Sequence, residues 1–410
     1  MTDMRPGVLL ADVATVNPRR PKLDVGGTAL TSFVPMHAVD ETTGSVRDQP
    51  ARPFSEVGSG YSYFEQGDVL FAKVSPCMQN GKHALIERTI GGFGFGSTEF
   101  HVVRPGPALH SRWLLHFLRR AEVIDSAAKT FTGSVGLQRV PDTYLRTLQF
   151  DLPTLADQER AVRQLDAALA QARLCTFAID IALTDAMKLP TAHLKAVFGQ
   201  VPPIAVAKAD GAAPGWRWAQ LTDLARLESG HTPSRRRPEW WGGDVPWLAL
   251  PDIRKLHGLR AHHTVENTND AGLANSSARL LPVNTVCLCR DASIGFVTIL
   301  GRPMATSQHF ANWVCDATRL DPGYLMYAVM ASHDYLRELG SGSVLKTIYM
   351  PTIQSFHVLA PDITEQRRIA GLLRDRLRAT ATLLQRLRER QADIARLPQR
   401  LLAAAFAPPA

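Results

Sequence analysis

The stretch that decides the fold is 153–198, PTLADQERAVRQLDAALAQARLCTFAIDIALTDAMKLPTAHLKAVF, which recurs at 361–406 as PDITEQRRIAGLLRDRLRATATLLQRLRERQADIARLPQRLLAAAF. The copies align without a gap and share 11 identical residues in 46 positions, where chance supplies about three. A repeat of this length indicates a duplicated structural unit. The identical pairs are Pro153/Pro361, Gln158/Gln366, Arg160/Arg368, Leu165/Leu373, Leu169/Leu377, Asp185/Asp393, Leu189/Leu397, Pro190/Pro398, Leu194/Leu402, Ala196/Ala404 and Phe198/Phe406.

Each copy has the apolar spacing of a long amphipathic helix. Small or apolar residues recur at alternating steps of three and four, which keeps one narrow stripe facing a partner. Each copy begins after a proline, and the second proline, Pro190 or Pro398, is expected to kink or stop the helix. This predicts two helices of about thirty residues, about 45 Å long each. The first stripe is Val162, Leu165, Leu169, Ala172, Thr176, Ile179, Leu183 and Ala186.

The two predicted helices are expected to pair with each other. A narrow stripe is typical of a coiled-coil seam, and net charges of −1 over 151–200 and +5 over 359–410 suit antiparallel packing. The alternative, in which each helix packs inside its own domain, stays open. We therefore predict an α+β protein with two domains separated by two long antiparallel coiled-coil helices and an internal pseudo-twofold repeat.

The regions before the two copies are expected to fold as mixed α+β domains. LADVA at 10–14 resembles LTDLA at 221–225, and GSV at 133–135 recurs at 342–344. DVLFAKV and NTVCLCR have strand character, whereas SRWLLHFLRRAEVI and PGYLMYAVMASHDYLREL have helical character. The predicted order is a first domain at 1–152, a helical region at 153–198, a linker rich in Pro, Gly and Ala at 199–216, a second domain at 217–360 and a second helical region at 361–410.

Composition limits the class of protein. The 410 residues favour two or three domains, and a hydrophobic fraction of 45% with 20% charged residues is ordinary for a globular chain. We find neither an apolar run of about 18 residues nor a signal peptide, and five cysteines do not form a disulfide framework. We therefore expect a cytoplasmic location and no membrane partner. The net charge of +8 favours a polyanionic partner, contacted through local patches because most of the excess lies after residue 358.

No motif indicates catalysis. The pair Cys287 and Cys289 lies in an apolar run and is expected to be two residues on one face of a strand, not a metal site. The stretch GGFGFGSTEF at 91–100 lacks a Walker lysine and a Rossmann acidic residue and is expected to be a turn between strands. The common hydrolase, ATPase and metalloenzyme signatures and the Asn/Asp-Pro-Pro-aromatic loop of amino-methyltransferases are absent. We expect no active site in this chain.

Basic and amide side chains are the candidates for nucleic-acid contact. Arg and Lys can neutralise phosphates or bond to guanine, and Asn can bond to adenine. Two loops stand out, LFAKVSPCMQNGKH at 70–83 and HTPSRRRPEWWGGDVPW at 231–247, although the tryptophans of the second can equally be core residues. A solvated basic loop without function is the alternative. The predicted DNA-binding residues are Lys73, Ser75, Asn80, Lys82, Arg139, Arg235, Arg236, Arg237, Arg290 and Lys346.

These motifs together resemble the specificity subunit of type I restriction–modification systems. LPTLADQERAV and APDITEQRRIA are similar to that family's Pro-x-x-x-Glu-Gln-x-Arg entry to its repeated regions, with Asp157 in place of the usual Glu in the first copy. LPQRLLAAAFA is similar to its closing signature. DVLFAKVSPCMQNGK, GFGSTEFHVVRP and SGHTPSRRRPEWWGGDVPWLALPDI are similar to its two target-recognition domains.

The resemblance implies a division of labour. Each domain would read one half of a split double-stranded DNA site, and the helices would set the spacer and dock two methyltransferase subunits through the outward faces of 157–189 and 365–397. Those partners would bind S-adenosylmethionine and methylate adenine N6, so no cofactor is expected in this chain, and a motor-nuclease subunit would join for cleavage. Two alternatives stay open: a DNA-binding regulator or scaffold without a methyltransferase partner, and a chain that modifies DNA alone.

Overall fold

The structure, a computed structural model, describes residues 5–47, 50–134, 138–208, 210, 212–340 and 346–407. Val135 and Gly342 to Val344, from the recurring GSV motif, lie outside this part. The chain forms two compact units, of which unit 1 runs to Asp180 and resumes at Glu389, and unit 2 runs from Ile181 to Arg388. Each unit thus contains one globular domain, the start of one long helix and the end of the other.

Unit 1 contains twelve strands in its described part. Its helices are α1 (Leu10–Val13), α2 (Phe54–Val57), α3 (Ser111–Leu118), α4 (Ala121–Ala128), α5 (Asp142–Arg146) and the long α6 (Leu155–Phe198), which continues into unit 2. The strands are β1 (Arg5–Leu9), β2 (Ala14–Val16), β3 (Leu30–Val34), β4 (Val39–Asp40), β5 (Ser45–Val46), β6 (Ala51–Pro53), β7 (Ser62–Glu65), β8 (Val69–Ala72), β9 (His83–Leu85), β10 (Phe93–Gly96), β11 (Phe100–Pro105) and β12 (Gln149–Leu152).

Unit 2 contains eleven strands in its described part. Its helices are α7 (Leu221–Leu224), α8 (Leu250–Leu256), α9 (Asp270–Ala274), α10 (Pro322–Ala331), α11 (His333–Leu339), α12 (Met350–Gln354) and the long α13 (Ile363–Ala405), which continues into unit 1. The strands are β13 (Ile204–Ala205), β14 (Arg217–Gln220), β15 (Ala225–Ser229), β16 (Trp241–Leu248), β17 (Arg260–Ala261), β18 (Glu266–Thr268), β19 (Val286–Cys289), β20 (Val297–Leu300), β21 (Ala305–Thr306), β22 (Phe310–Cys315) and β23 (His357–Ala360).

The sheets of the two units follow one plan, which confirms the mixed α+β prediction. The main sheet has the order β2-β11-β8-β9 in unit 1 and β15-β22-β19-β20-β17 in unit 2. A second sheet, β6-β3-β10-β7 or β18-β16-β21, contains one parallel pair in each unit. A third sheet lies before the long helix, β1-β12 in unit 1 and β13-β23-β14 in unit 2. The duplication therefore includes the globular domains.

The Gly-rich stretch at 91–100 corrects one prediction, because it is not only a turn. Phe93–Gly96 forms β10, between β3 and β7 in its sheet. A Cβ on Gly94 would lie 2.5 Å from the Phe64 ring and 2.7 Å from the Ser32 carbonyl oxygen. Glycine is required at position 94 because the neighbouring atoms leave no room for a Cβ. From the sequence alone, a glycine needed for such a close approach in a strand looks the same as a glycine in a turn.

Prediction of the other elements was mostly correct. DVLFAKV and NTVCLCR contain the buried strands β8 and β19. The two predicted helical stretches each form a pair of helices, α3 with α4 and α10 with α11. In the stretch at 199–216, Ile204 is fully buried and pairs with β23, so part of the predicted linker is a strand of unit 2. The apolar residues Ile204 and Ala205 form this strand of the third sheet. The Pro and Gly content of the stretch predicts a linker and gives no sign of a strand.

The long helices do not stop at their second proline, and the predicted length was wrong. Helix α6 has 44 residues and α13 has 43, so each is about 65 Å long. Pro190 and Pro398 lie inside them. A proline removes one helical hydrogen bond, which costs free energy. Burial of apolar residues beyond the proline offsets this cost. Leu194 and Phe198 are buried in the core of unit 2, as is Leu402 in unit 1.

The paired stripe predicted for the helices forms in both units and is antiparallel. In unit 1, Leu165 and Leu169 near the start of α6 pack with Leu402 near the end of α13. In unit 2, Leu373 near the start of α13 shares a core with Leu194 near the end of α6. The two contacts are related by the offset of 208, so the internal repeat is present in the packing within each unit.

The repeated glutamine holds each long helix to its domain. Gln158 accepts a hydrogen bond from the His110 amide (2.8 Å) and donates to the carbonyls of Ala108 (3.0 Å) and Pro153 (2.8 Å). Gln366 accepts from the Asp321 amide (3.0 Å) and donates to the carbonyls of Arg319 (3.2 Å) and Pro361 (2.9 Å). Both glutamines are buried. The motif that identifies the repeat is therefore a structural joint.

A repeated phenylalanine closes each unit. Phe198, at the end of α6, packs against Trp216 and Tyr324 of unit 2, with ring centroids 6.1 and 5.7 Å apart. Phe406, after α13, packs against Trp113 and Phe117 of unit 1 at 5.0 and 5.7 Å. Each helix thus leaves the domain that precedes it and ends against an aromatic pair in the other unit's core.

Candidate nucleic-acid interface

Two segments of unit 1 bring several predicted residues together. The Lys73 amide donates to the Glu99 carbonyl (2.9 Å), and the Lys73 carbonyl accepts from the Val140 amide (2.9 Å). The Ser75 amide donates to the Gln138 carbonyl (2.9 Å). The segment after β8 therefore runs beside the segment before α5. This pairing brings Lys73 and Ser75 into one region with Arg139, which lies some sixty residues later in the sequence.

Arg139 is held by an acidic neighbour in this region. Its Nε and Nη2 atoms each lie 2.8 Å from an oxygen of Glu99. The Arg139 hydrogen bonds hold the pKa of Glu99 below its usual value despite partial burial. The side chain of Arg139 is 40% exposed, so it is positioned by Glu99 while part of it remains at the surface.

The other two candidates of this loop differ in environment. Lys82 Nζ lies 3.1 Å from the Val39 carbonyl and 3.2 Å from Glu41, and the side chain is only 20% exposed. Lys82 therefore ties the loop to the 39–41 segment. Asn80 is exposed on the turn before it, and its side chain has the accessibility that base contact requires.

Unit 2 repeats the backbone arrangement with different side chains. The Arg290 amide donates to the His309 carbonyl (2.9 Å), and the Arg290 carbonyl accepts from the Ile348 amide (2.8 Å). Arg290 thus occupies the position of Lys73, and Lys346 lies two residues before Ile348 as Gln138 does before Val140. Arg290 and Lys346, which are 56 residues apart, are brought to one region, and Lys346 is exposed.

All three arginines of the basic triplet in unit 2 are exposed, but they differ in how they are held. Arg235 forms two bonds to Glu266, of 2.8 and 2.6 Å, and its guanidinium lies 3.8 Å from the Trp241 ring centroid. The Glu266 bonds raise the pKa of Arg235. Arg237 lies 3.6 Å from Glu239 at the surface, whereas among the described residues no ion pair forms to Arg236. Arg236 is the member most available to a phosphate.

The tryptophans beside this triplet have structural positions. Trp247 is 3% exposed and packs edge-on against Trp241, with ring centroids 4.8 Å apart. Trp241 is partly buried, and its Nε1 atom donates to the Ser234 carbonyl. The alternative of core residues is therefore correct for Trp247, and Trp241 links the core to the Arg235 loop.

Sequence reasoning missed charged groups that lie beside the candidates. His309 Nδ1 lies 2.6 Å from Asp291, next to Arg290 in unit 2. Glu228, 7% exposed, accepts from both Arg226 (2.6 Å) and Arg279 (2.7 Å) along an open groove of unit 2. Neither cluster has a sequence signal, because its members come together only through pairing of distant segments.

The cysteine pair has the environment of core residues. Cys287 and Cys289 are both buried on β19, and burial raises the pKa of both thiols, that of Cys289 to about 11. A protonated buried thiol is neither a nucleophile nor a metal ligand. Within the described ranges, no group of three His, Cys, Asp or Glu side chains is arranged to hold a metal ion.

The long helices expose apolar residues away from their paired stripe. In unit 1, Leu174 and Phe177 of α6 are 60% and 67% exposed. In unit 2, Ile181 and Met187 of α6 are 47% and 56% exposed, and Leu383 of α13 is 42% exposed. In the described part of the chain, one helix, α6, is long and apolar enough to cross a membrane by length and composition, a criterion that the core helix of a soluble protein also meets.

Comparison with known proteins gives a consistent set of relatives. A family profile described as type I restriction modification DNA specificity domain matches residues 214–390. The chain is 31% identical over 156 residues to the type I restriction enzyme EcoEI specificity subunit of Escherichia coli, covering 38% of this chain and 26% of that protein. It is 22% identical to the HindI specificity subunit of Haemophilus influenzae over 74% of this chain and 79% of that protein.

Coverage differs among the relatives. The matched regions span only 26% to 37% of the EcoEI, MjaIX and EcoAI specificity subunits. Solved structures match along the whole chain: the HsdS subunit from Thermoanaerobacter tengcongensis aligns with a TM-score of 0.73 at 20% identity, covering 98% of this chain and 96% of that chain. A chain from a study of complex assembly in the type I R-M system aligns with a TM-score of 0.71 at 21% identity, covering 98% and 97%. These structures establish the fold.

Proposed function

We propose that this chain, whose residues 214–390 match a type I restriction modification DNA specificity domain, is the sequence-reading subunit of a type I restriction–modification complex and does no chemistry itself. Each unit would read one half of a bipartite double-stranded DNA site. The observation that carries this proposal is the repeated backbone arrangement around Lys73 and Arg290, which presents cationic residues at one place on two related domains.

The two domains would read different half-sites. Directly after the equivalent strands β8 and β19, unit 1 has Lys73 and unit 2 has Arg290. The neighbouring segments contribute Arg139 in unit 1 and Lys346 in unit 2. An ammonium group is a point charge suited to phosphate, whereas a guanidinium can form two bonds to the edge of guanine. Different side chains on one backbone arrangement are what an asymmetric site requires.

The helices would set the spacer and dock two methyltransferase subunits. Support for docking comes from the exposed apolar residues: Leu174 and Phe177 in unit 1, and Ile181, Met187 and Leu383 in unit 2. Large apolar side chains exposed on a helix away from its paired face are typical of a protein interface. The partners would bind S-adenosylmethionine and methylate adenine N6, and a motor-nuclease subunit would join the same assembly for cleavage. The site of action would be the cytoplasm.

One experiment tests the reading function directly. The chain is co-expressed with its methyltransferase subunit, and methylated adenines are mapped in the DNA of those cells. We expect one bipartite motif with a fixed spacer and two methyltransferase copies per chain after co-purification. Binding of DNA without any larger co-purifying subunit would instead favour a regulator, and tight binding of S-adenosylmethionine by the isolated chain would favour an enzyme.

A paired substitution identifies the reading residues. Lys73→Ala and Arg290→Ala are compared in the purified complex, with Lys195→Ala, exposed on α6 beyond the proposed docking face, as the control. Replacing a residue that contacts only phosphate should lower the salt slope of DNA binding by about 1 and weaken binding to all sequences. Replacing a residue that reads a base should relax discrimination at one base position by about 1–3 kcal/mol. Unchanged binding in both variants would remove these residues from the interface.

A further inference from the structure

His309 in unit 2 and Glu99 in unit 1 lie at equivalent positions. Each directly precedes a strand of the main sheet, β22 or β11. The carbonyl of each accepts a hydrogen bond of 2.9 Å, from the Arg290 amide in unit 2 and from the Lys73 amide in unit 1. The backbone therefore places His309 and Glu99 beside the corresponding candidate cations.

The side chains at this position have different roles in the two units. In unit 1, the Glu99 carboxylate holds Arg139 through two hydrogen bonds of 2.8 Å. In unit 2, the carboxylate belongs to Asp291, which directly follows Arg290, and one of its oxygens lies 2.6 Å from Nδ1 of His309. A carboxylate thus orients a guanidinium in unit 1 and an imidazole in unit 2.

Asp291 determines which nitrogen of His309 carries a hydrogen. Its side chain is only 10% exposed, and an ionised carboxylate only accepts hydrogen bonds. Nδ1 is therefore the donor, so Nε2 of the neutral imidazole keeps its lone pair and is an acceptor. Among the described residues none bonds to Nε2, and this atom is not one of the buried side-chain atoms that lack a partner. With the side chain 26% exposed, a ligand can reach Nε2.

The groups around His309 hold it next to Arg290. Nε of Arg290 lies 3.1 Å from the Gln308 carbonyl oxygen, and Nη1 lies 3.5 Å from the Ile348 carbonyl oxygen. The exposed side chain of Gln308 is itself engaged, because its Oε1 atom accepts from the Thr232 hydroxyl. His309 therefore presents an oriented acceptor directly beside a candidate DNA contact.

Such an acceptor supplies chemistry that the predicted contacts of unit 2 lack. These contacts are all cations, which only donate hydrogen bonds. They can bond to phosphate and to guanine, but the amino groups of adenine and cytosine in the major groove require an acceptor. Unit 1 has a hydroxyl in Ser75 and an amide in Asn80 for this purpose. The cations of unit 2 are Arg235, Arg236, Arg237, Arg290 and Lys346.

We propose, building on the proposed function, that His309 is a specificity-determining residue of unit 2. Its Nε2 atom accepts a hydrogen bond from the amino group of an adenine or a cytosine in the half-site that unit 2 reads. Asp291 is a positioning residue, which keeps the hydrogen on Nδ1 and leaves Nε2 free to accept. The base that His309 reads lies next to the group that Arg290 contacts, because the two side chains are neighbours.

The first test compares the parent and His309→Phe in the complex with the methyltransferase subunit, at pH 8, where an imidazole is ordinarily neutral. Selection from DNA that is randomised in both half-sites measures the base preference at each position. Phenylalanine keeps an aromatic ring and removes the acceptor, so the preference for one amino-bearing base should fall about tenfold. Preferences in the other half-site should not change. His357→Phe, a partly exposed histidine on β23 of unit 2, is the matched control and should keep every preference.

Modified DNA tests the same bond without altering the protein. Purine in place of adenine, or pyrimidin-2-one in place of cytosine, removes the amino group alone. At the position found by selection, the parent should bind this DNA about tenfold more weakly than the natural base, whereas His309→Phe should bind the two equally. In Asp291→Asn, the amide can donate to Nδ1 and leave the hydrogen on Nε2, so this variant should lose the same preference with His309 in place.

Several results would overturn this inference. One is a set of preferences that does not change in His309→Phe, and another is a parent that tolerates loss of every amino group in its half-sites. Equally weaker binding to all sequences, with a salt slope lowered by about 1, would make His309 a phosphate contact instead. A parent complex without any bipartite preference would overturn the proposed function itself, and the parent alone reveals that outcome.

Discussion

Gln158 and Gln366 make the same three hydrogen bonds in their two units, whereas Arg139 and the residue at its counterpart position, Thr347, share no side-chain chemistry. The joint between domain and helix has kept both its residue and its geometry. The surface that we propose contacts DNA has kept only its backbone bonds. After a duplication, a buried amide with three partners cannot change without leaving them unsatisfied, while an exposed side chain can.

The helices show the same contrast on their two faces. The stripe that pairs the helices repeats, as in Leu165 and Leu373 or Leu194 and Leu402. The exposed Leu174 and Phe177 of α6 correspond instead to Thr382 and Gln385 of α13. The duplication is thus better kept at these packed positions than at the exposed ones, where the two helices differ in chemistry.

The largest effect is expected when the repeated glutamine that joins each domain to its long helix is replaced. Gln158→Leu and Gln366→Leu each leave one amide and two carbonyls without their partner, so we expect each to destabilise its own unit by about 3 kcal/mol. Urea unfolding with residue-resolved hydrogen exchange measures the loss and assigns it to a unit. Gln164→Leu, exposed on the same helix, is the control and should change stability little. A loss of stability in only one of the two variants would show that the two joints are not equivalent.

The closing phenylalanines should differ from each other. Phe198 is 8% exposed, whereas Phe406 is partly exposed. We expect Phe198→Ala to cost about 3 kcal/mol and Phe406→Ala about half as much, because less apolar area is lost. The same unfolding measurement applies. Phe177→Ala, at a 67% exposed position of α6, should be nearly neutral, and equal losses for Phe198 and Phe406 would contradict the difference in burial.

Acid should destabilise both units through a buried histidine in each. Nδ1 of His83 accepts from the Ala72 amide and Nδ1 of His257 from the Val297 amide, both at 3.1 Å. Burial lowers the pKa of His83 to about 3 and that of His257 to about 4. The neutral imidazole is therefore the folded form, while the unfolded chain takes up a proton below about pH 6.5.

The stabilisation from each histidine is complete above pH 6.5 and is lost as the pH falls toward the lowered pKa. Between pH 7 and pH 5, we expect each histidine to lower the stability of its unit by about 2 kcal/mol. Unfolding titrations at several pH values measure this slope. His83→Asn and His257→Asn keep an acceptor that does not titrate and should flatten the slope in their own unit only. A parent slope retained in both variants would assign the acid sensitivity to other groups.

The smallest expected effect concerns the basic triplet. Arg235→Ala removes an exposed ion pair and a cation–π contact, which together should contribute about 1 kcal/mol to unit 2. Arg236→Ala should leave stability unchanged and lower the salt slope of DNA binding by about 1 if Arg236 holds a phosphate. A DNA-binding change in Arg235→Ala with no loss of stability would make Arg235, not Arg236, the contact residue.

Prediction from the sequence succeeded where the signal is periodic or repeated. The stripe of the long helices and the strands at 69–72 and 286–289 follow from spacing alone. It failed at Pro190, at β10 and at β13, where a local preference was outweighed by packing. Helix α6 continues past Pro190 because Leu194 and Phe198 are buried beyond it, and Gly94 lies in a strand because Phe64 approaches its backbone.

The candidate site was only partly predictable. Lys73, Arg139, Arg290 and Lys346 could be chosen by residue type, but their grouping into two equivalent regions could not. That grouping depends on backbone bonds between segments about sixty residues apart. The ion pairs of Arg139 with Glu99 and of Arg235 with Glu266 have no sequence signal for the same reason.

By itself, the sequence determined that this protein is a duplication whose long helices pair through one apolar stripe, because helical periodicity and a fixed offset are properties of residue order. Only the tertiary structure decided which cations are held by carboxylates and, within the described residues, that β12 has one neighbouring strand where β23 has two. The physical reason is that hydrogen bonds and burial join residues distant along the chain, and their free energies exceed the local preferences that a sequence displays.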